Sequence, residues 1–163
     1  MTNRSKSKGS GFEITVCRLL TEWITGEPKP EIFWRSASSG AKATQDFKSD
    51  VQSKMAGDIV AIDAAGQWFT DMYSVECKFY KDFKFEHVLE GKGHILKWWE
   101  QCVGDAKKSD KLPMLIFKKN RSPIYLGITC KGTSKRIPNF DIMILDDFLK
   151  EFSPEHVKNH EEM

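Results

Sequence analysis

Asp58, Glu76 and Lys78 stand in the stretch MAGDIVAIDAAGQWFTDMYSVECKFYKDF, residues 55–83, where charge is set into otherwise apolar, β-rich runs. Side chains two apart on a strand share a face, so Glu76 and Lys78 project together while Val75, Cys77 and Phe79 point the other way. If a neighbouring strand brings Asp58 alongside, two carboxylates converge. Close like charges repel and are costly to bury unpaired, so the arrangement suits a hard divalent cation such as Mg²⁺ or Mn²⁺. Such an ion would polarise a phosphodiester and acidify a bound water, and Lys78 beside it would orient that water or offset charge on phosphate oxygens. The same residues also read as a turn-bonded Asp and an ordinary edge-strand ion pair.

The elements that must position them follow from periodicity. Phe12, Val16, Leu19, Leu20, Trp23 and Ile24 recur at helical spacing over Gly11–Ile24, with Ser10 and Glu13 as a capping box and Gly26 and Pro28 as the stop. EIFWRSA reads as a short strand, and SSGAKATQDFKSDVQSKMAG as a long polar loop. Asp58–Asp63 and Phe69–Phe79 are then expected to pair as a hairpin about a turn at Ala64–Gln67. A helix is expected from about Lys92 to Lys108, strands at LPMLIF and SPIYLGI, a basic loop KGTSKRIPN, a strand DIMIL, and a short helix DDFLKEF capped by Asp146. Trp98 and Trp99 read as core residues. The polar ends, about 1–8 and 153–163, are expected to fray. Helices alternating with strands predict one α/β domain with a mixed central sheet.

Composition narrows the class. The chain has 163 residues, 40% of them hydrophobic and 29% charged, and no apolar run approaches the ~20 residues that span a bilayer. The basic start MTNRSKSKGSG lacks the apolar stretch of a secretory signal, so a cytoplasmic location is expected. Cys17, Cys77, Cys102 and Cys130 are widely spaced, with no CxxC pair for zinc, and are expected to be reduced and mostly buried. Net charge is only +2, but lysines and arginines cluster at residues 4–8, 78–84, 107–111, 118–121 and 131–136, and clusters converging on one face would track phosphates.

GDIVAID followed by VECK resembles the split D…ExK signature of the PD-(D/E)xK nucleases, the restriction-endonuclease-like superfamily. The resemblance implies a restriction-endonuclease-like fold, a mixed central β-sheet flanked by helices. It further implies a Mg²⁺ site, with Mn²⁺ substituting, made of Asp58, Glu76 and the backbone carbonyl of Cys77, and Lys78 serving the attacking water. Gly57 stands where the family name has proline.

KGSGFEITVCRLL is similar to the opening of archaeal-type Holliday junction resolvases and their phage relatives, which implies that Glu13 completes the active site unless it only caps the helix. WRSASSGA resembles that family's Arg and Ser-Gly stretch, implying DNA contacts by Arg35, Ser38 and Ser39, and Gln101 resembles a helical Gln that reaches the bound water or a phosphate. Two departures from the archaeal pattern are Ile14 after Glu13 and a longer loop over Ala41–Met55. The resemblance implies a homodimeric endonuclease cutting four-way DNA junctions in a prokaryotic or phage-infected cell, leaving a 5′-phosphate and a 3′-hydroxyl. A restriction-like, repair or nicking enzyme on linear duplex uses the same chemistry, and a DNA-binding protein with a vestigial metal site shares the same fold.

Overall fold

The computed structural model describes residues 3–36, 57–129 and 140–159. In chain order these form α1 (Asn3–Thr25), β1 (Phe33–Arg35), β2 (Ile59–Ala61), α2 (Ala64–Met72), β3 (Tyr73–Tyr80), α3 (Glu86–Leu89), α4 (His94–Lys108), β4 (Leu112–Lys119), β5 (Tyr125–Thr129), β6 (Phe140–Ile144), α5 (Leu145–Glu151) and α6 (Pro154–Asn159). The expected α/β architecture is present: a four-stranded mixed sheet in the order β3-β4-β5-β6, with β3 parallel to β4 and the other pairs antiparallel. A parallel pair needs a crossover, and α3 and α4 supply it.

The sheet is buried on both faces, which is why β4 reads as the continuous apolar run PMLIF. Alternate β4 side chains divide between two cores. Met114 and Ile116 join Val75, Cys77, Leu126 and Ile128 beneath Phe12, Val16, Cys17 and Leu20 of α1. Leu115 and Phe117 pack on the opposite side against Ile95, Trp99 and Cys102 of α4. β1 and β2 form a separate antiparallel ribbon, in register Phe33↔Ala61, that touches the outer edge of β3 through the Asp58 N–H donating to the Val75 carbonyl at 2.7 Å.

The expected hairpin is a strand, a helix and a strand. Asp63 caps α2, its side chain accepting from Ala65 N, and the apolar residues after it follow a helical rather than a strand period. Phe69 sits at the centre of this helix, fully buried, with ring contacts to Trp23, Phe33, Trp68 and Tyr73 at 5.3–6.1 Å. Packing of that aromatic cluster outweighs the strand preference of Trp68, Phe69 and Thr70.

Two caps expected from sequence are absent. α1 already begins at Asn3, which places Ser10 and Glu13 in its interior and removes the capping box. α5 starts after Ile144 with no side-chain cap, and Asp146 instead pairs with Lys150 at 2.5 Å. Of the C-terminal segment expected to fray, Pro154–Asn159 forms α6, where Val157 is completely buried, and Trp23 Nε1 donates to the Phe152 carbonyl at 2.8 Å just before it; residues 160–163 lie outside the described residues. Among the described residues no helix is long and apolar enough to cross a membrane.

Candidate active site

Gly57 and Asp58 enter β2 across the outer edge of β3. Gly57 has φ +96°, and a Cβ there would lie 2.6 Å from the Val75 carbonyl oxygen. Only glycine accepts both that backbone conformation and that close approach, and proline, fixed near φ −65°, is impossible here. The departure from the family's name is therefore a requirement of this backbone. The approach is latched by three bonds: Asp58 N to Val75 O at 2.7 Å, Ser36 N to Asp58 O at 2.8 Å, and Cys77 N to Asp58 Oδ2 at 2.8 Å.

Because Cys77 N–H points at Asp58, the Cys77 carbonyl lies on the same edge of the strand, as the two groups of one β residue do. Its side chain is buried in the α1 core, and burial holds the thiol well above its usual range. Cys17 and Cys102, also buried, are pushed up to about 12 by burial. These three cysteines are free and buried, as expected, and Cys77 can offer the site only its main chain. Cys130 lies outside the described residues.

On the opposite face of β3, Glu76 is 8% exposed. Its Oε1 receives Lys78 Nζ at 2.6 Å and Gln101 Nε2, from α4, at 3.2 Å. Gln101 thus orients the Glu76 carboxylate, a more specific contact than the water or phosphate expected for it. On the α1 face, Glu13 is also 8% exposed and accepts from Arg35 Nε on β1. The ion pair joins two residues that the sequence assigned to separate tasks, catalysis and DNA contact. Ser38 and Ser39 lie outside the described residues.

The electrostatics tie the three carboxylates together. Burial and the negative charge of Glu76 raise the Asp58 carboxyl from 3.8 to about 7; Glu13 adds to the rise, while the Cys77 N–H and Lys78 oppose it. A bound cation would offset this repulsion and favour the charged carboxylate. Among the described residues no three His, Cys, Asp or Glu side chains cluster to hold a metal by themselves. An ion here would draw on Asp58, on Glu76, on the Cys77 carbonyl and on water. An all-oxygen set with solvent positions suits Mg²⁺ or Mn²⁺ and disfavours thiolate-seeking metals.

Sequence reasoning missed a feature beside this site. Tyr80 continues the face of Glu76 and Lys78 and is 43% exposed. It meets His94 and Trp98 of α4, with ring centroids at 4.4 and 5.6 Å. Of the two tryptophans expected in the core, Trp99 is there, stacked on Phe140, whereas Trp98 is only half-buried. The alternation Glu76, Lys78, Tyr80 was the available signal.

Comparison with known proteins gives the family. The family model described as "Phage putative PDDEXK endonuclease" matches residues 4–151. Protein D14 of Escherichia phage T5 is 36% identical over 67 residues, 40% of this chain and 41% of that protein, so the chain spans about two fifths of the length of this curated relative. No solved structure matches. With the family model covering nearly the whole sequence, the chain belongs to this family of phage PD-(D/E)xK endonucleases.

Proposed function

We propose that the protein is a Mg²⁺-dependent DNA endonuclease, with Mn²⁺ as a substitute, that acts as a homodimer on four-way junctions in the cytoplasm of a prokaryotic or phage-infected cell. The observation that carries the catalytic part is the electrostatic coupling of Asp58, bonded to the Cys77 main chain, with the Glu76–Lys78 pair on the neighbouring positions of β3. When bound, the ion would polarise the phosphodiester and lower the pKa of a water. Lys78, 26% exposed, remains open to solvent and is steered by Glu76 to the position where it meets a phosphate oxygen or holds the attacking water. Gln101 and Lys78 both donate to Glu76 Oε1, fixing the carboxylate and leaving Oε2 for the ion. Arg35 holds Glu13, whose charge acts on Asp58 from the α1 side.

Support for the junction as substrate comes from Glu13, the helix carboxylate that resembles the resolvase opening and whose charge reaches Asp58. A twofold enzyme matches a twofold substrate that needs two symmetric cuts. Cleavage of linear duplex is the second reading, favoured by the Glu13–Arg35 ion pair, which gives Glu13 a positioning role that requires no junction. Labelled four-way junction, linear duplex, flap and single strand, each incubated with Mg²⁺ and with chelator, separate the two. Symmetric nicks confined to the junction are expected, and equal cutting of the linear duplex would overturn the junction assignment.

A further inference from the structure

Exposure rises along β3 from Glu76, 8% exposed, to Tyr80, 43% exposed. The site therefore opens toward the Tyr80 end of the strand. α4 runs back antiparallel to this strand: Gln101 touches Glu76 at the closed end, while His94 and Trp98 touch Tyr80 at the open end. His94 stacks on Trp98 with an interplanar angle of 24° and a centroid separation of 5.7 Å, and Tyr80 leans on both. Trp98 is anchored beneath by Phe83 and Phe117, at 5.9 and 6.2 Å, so the upper rings rest on a rigid base. Exposed Lys81, Lys84 and Lys97 lie on the segments around this end.

We infer that Tyr80, His94 and Trp98 form a stacking platform for one unpaired nucleotide of the DNA strand being cut, next to the scissile phosphate; the inference rests on the nuclease assignment and refines its substrate. Tyr80 follows Lys78 by two residues on the same face, about 7 Å along the strand, the scale of one nucleotide. A ring face can take a base only where that base has left its neighbours, so the platform selects unpaired nucleotides over continuous duplex. The exposed lysines supply charge for the flanking phosphates. Such a nucleotide occurs at branch points, bulges and single-stranded gaps, which differ in what lies beyond it.

The test uses the whole protein and duplexes that carry one unpaired 2-aminopurine at each position in turn, against fully paired duplex. Saturating parent protein is expected to quench 2-aminopurine at one position beside the cut and to prefer that substrate. Tyr80→Phe keeps both properties. Tyr80→Ala and His94→Ala, with melting curves like the parent, lose the quench and shrink the preference about 5- to 150-fold, the range that base–aromatic stacking commands. No quench at any position in the parent, or an unchanged preference in both alanine variants, overturns the platform. If the parent quenches the base yet cuts none of the DNAs, the nuclease assignment fails while the platform stands.

Discussion

Replacing Asp58 with Asn removes a charge and keeps the shape, so it separates what the residue costs the fold from what it does in chemistry. Burial and the Glu76 charge raise its carboxyl from 3.8 to about 7 in the folded protein. Between those values the folded chain holds a proton that the unfolded chain has released, so stability falls as pH rises through this window and levels off above it. At 1.36 kcal/mol per unit, a rise of about three units sets a ceiling of ~4 kcal/mol on the penalty at alkaline pH. The amide oxygen of Asn still accepts from Cys77 N, and a net gain of about 2 kcal/mol at pH 8 is expected in chelator, or roughly 4–8 °C in Tm for a chain of this size. At pH 5 the gain shrinks to about a third of that value, because most of the window has not yet been crossed. Thermal unfolding at pH 8 and pH 5, with and without Mg²⁺ or Mn²⁺, measures it. Added metal should raise the parent's Tm at pH 8 and leave Asp58→Asn nearly unmoved. An Asn variant that is no more stable than the parent at pH 8 in chelator would refute the view of Asp58 as an electrostatic liability relieved by a cation.

Lys78→Met should fold normally, since Lys78 is partly exposed and Gln101 still holds Glu76, yet lose about 10²–10⁴-fold in the single-turnover cleavage rate. Gly57→Ala forces a Cβ to 2.6 Å from the Val75 carbonyl at φ +96°, so it should displace Asp58 and cut the rate about 10²-fold, with stability lowered by ~1–3 kcal/mol in denaturant titration. Phe69→Ala, which empties the aromatic cluster under α2, should cost ~3–5 kcal/mol by the same titration. Binding of DNA should weaken steeply as salt rises, and a flat dependence would remove the proposed phosphate-tracking lysines.

The candidate site residues were legible because their signal is local. Glu76 and Lys78 owe their common face to strand alternation alone, and the α4 helix and the β4 run were readable from periodicity and from burial on both faces. The element between Asp58 and Glu76 was misread because Trp68, Phe69 and Thr70 favour strands on composition. Asp63, a good helix cap, and the spacing of Phe69 from Met72 carried the opposite message, and packing around Phe69 decided between them. The start of α1 was hidden by Gly9 and Gly11, poor helix formers in a segment that is helical all the same. Lys8 from that segment and Lys118 from β4 both reach the Phe79 ring, at 5.8 and 5.3 Å, contacts between elements far apart in sequence. The Glu13–Arg35 pair and the parallel register of β3 on β4 are likewise non-local, and no window of sequence contains them.

The central claim is that Asp58 and Glu76 make the catalytic metal platform of a DNA endonuclease. It meets its most direct test in single-turnover cleavage of end-labelled DNA by the parent and by Asp58→Asn, in Mg²⁺ and in chelator. The parent should cut only in Mg²⁺, leaving a 5′-phosphate and a 3′-hydroxyl, and Asp58→Asn should cut in neither condition. An Asp58→Asn protein that cuts as fast as the parent in Mg²⁺ would contradict it.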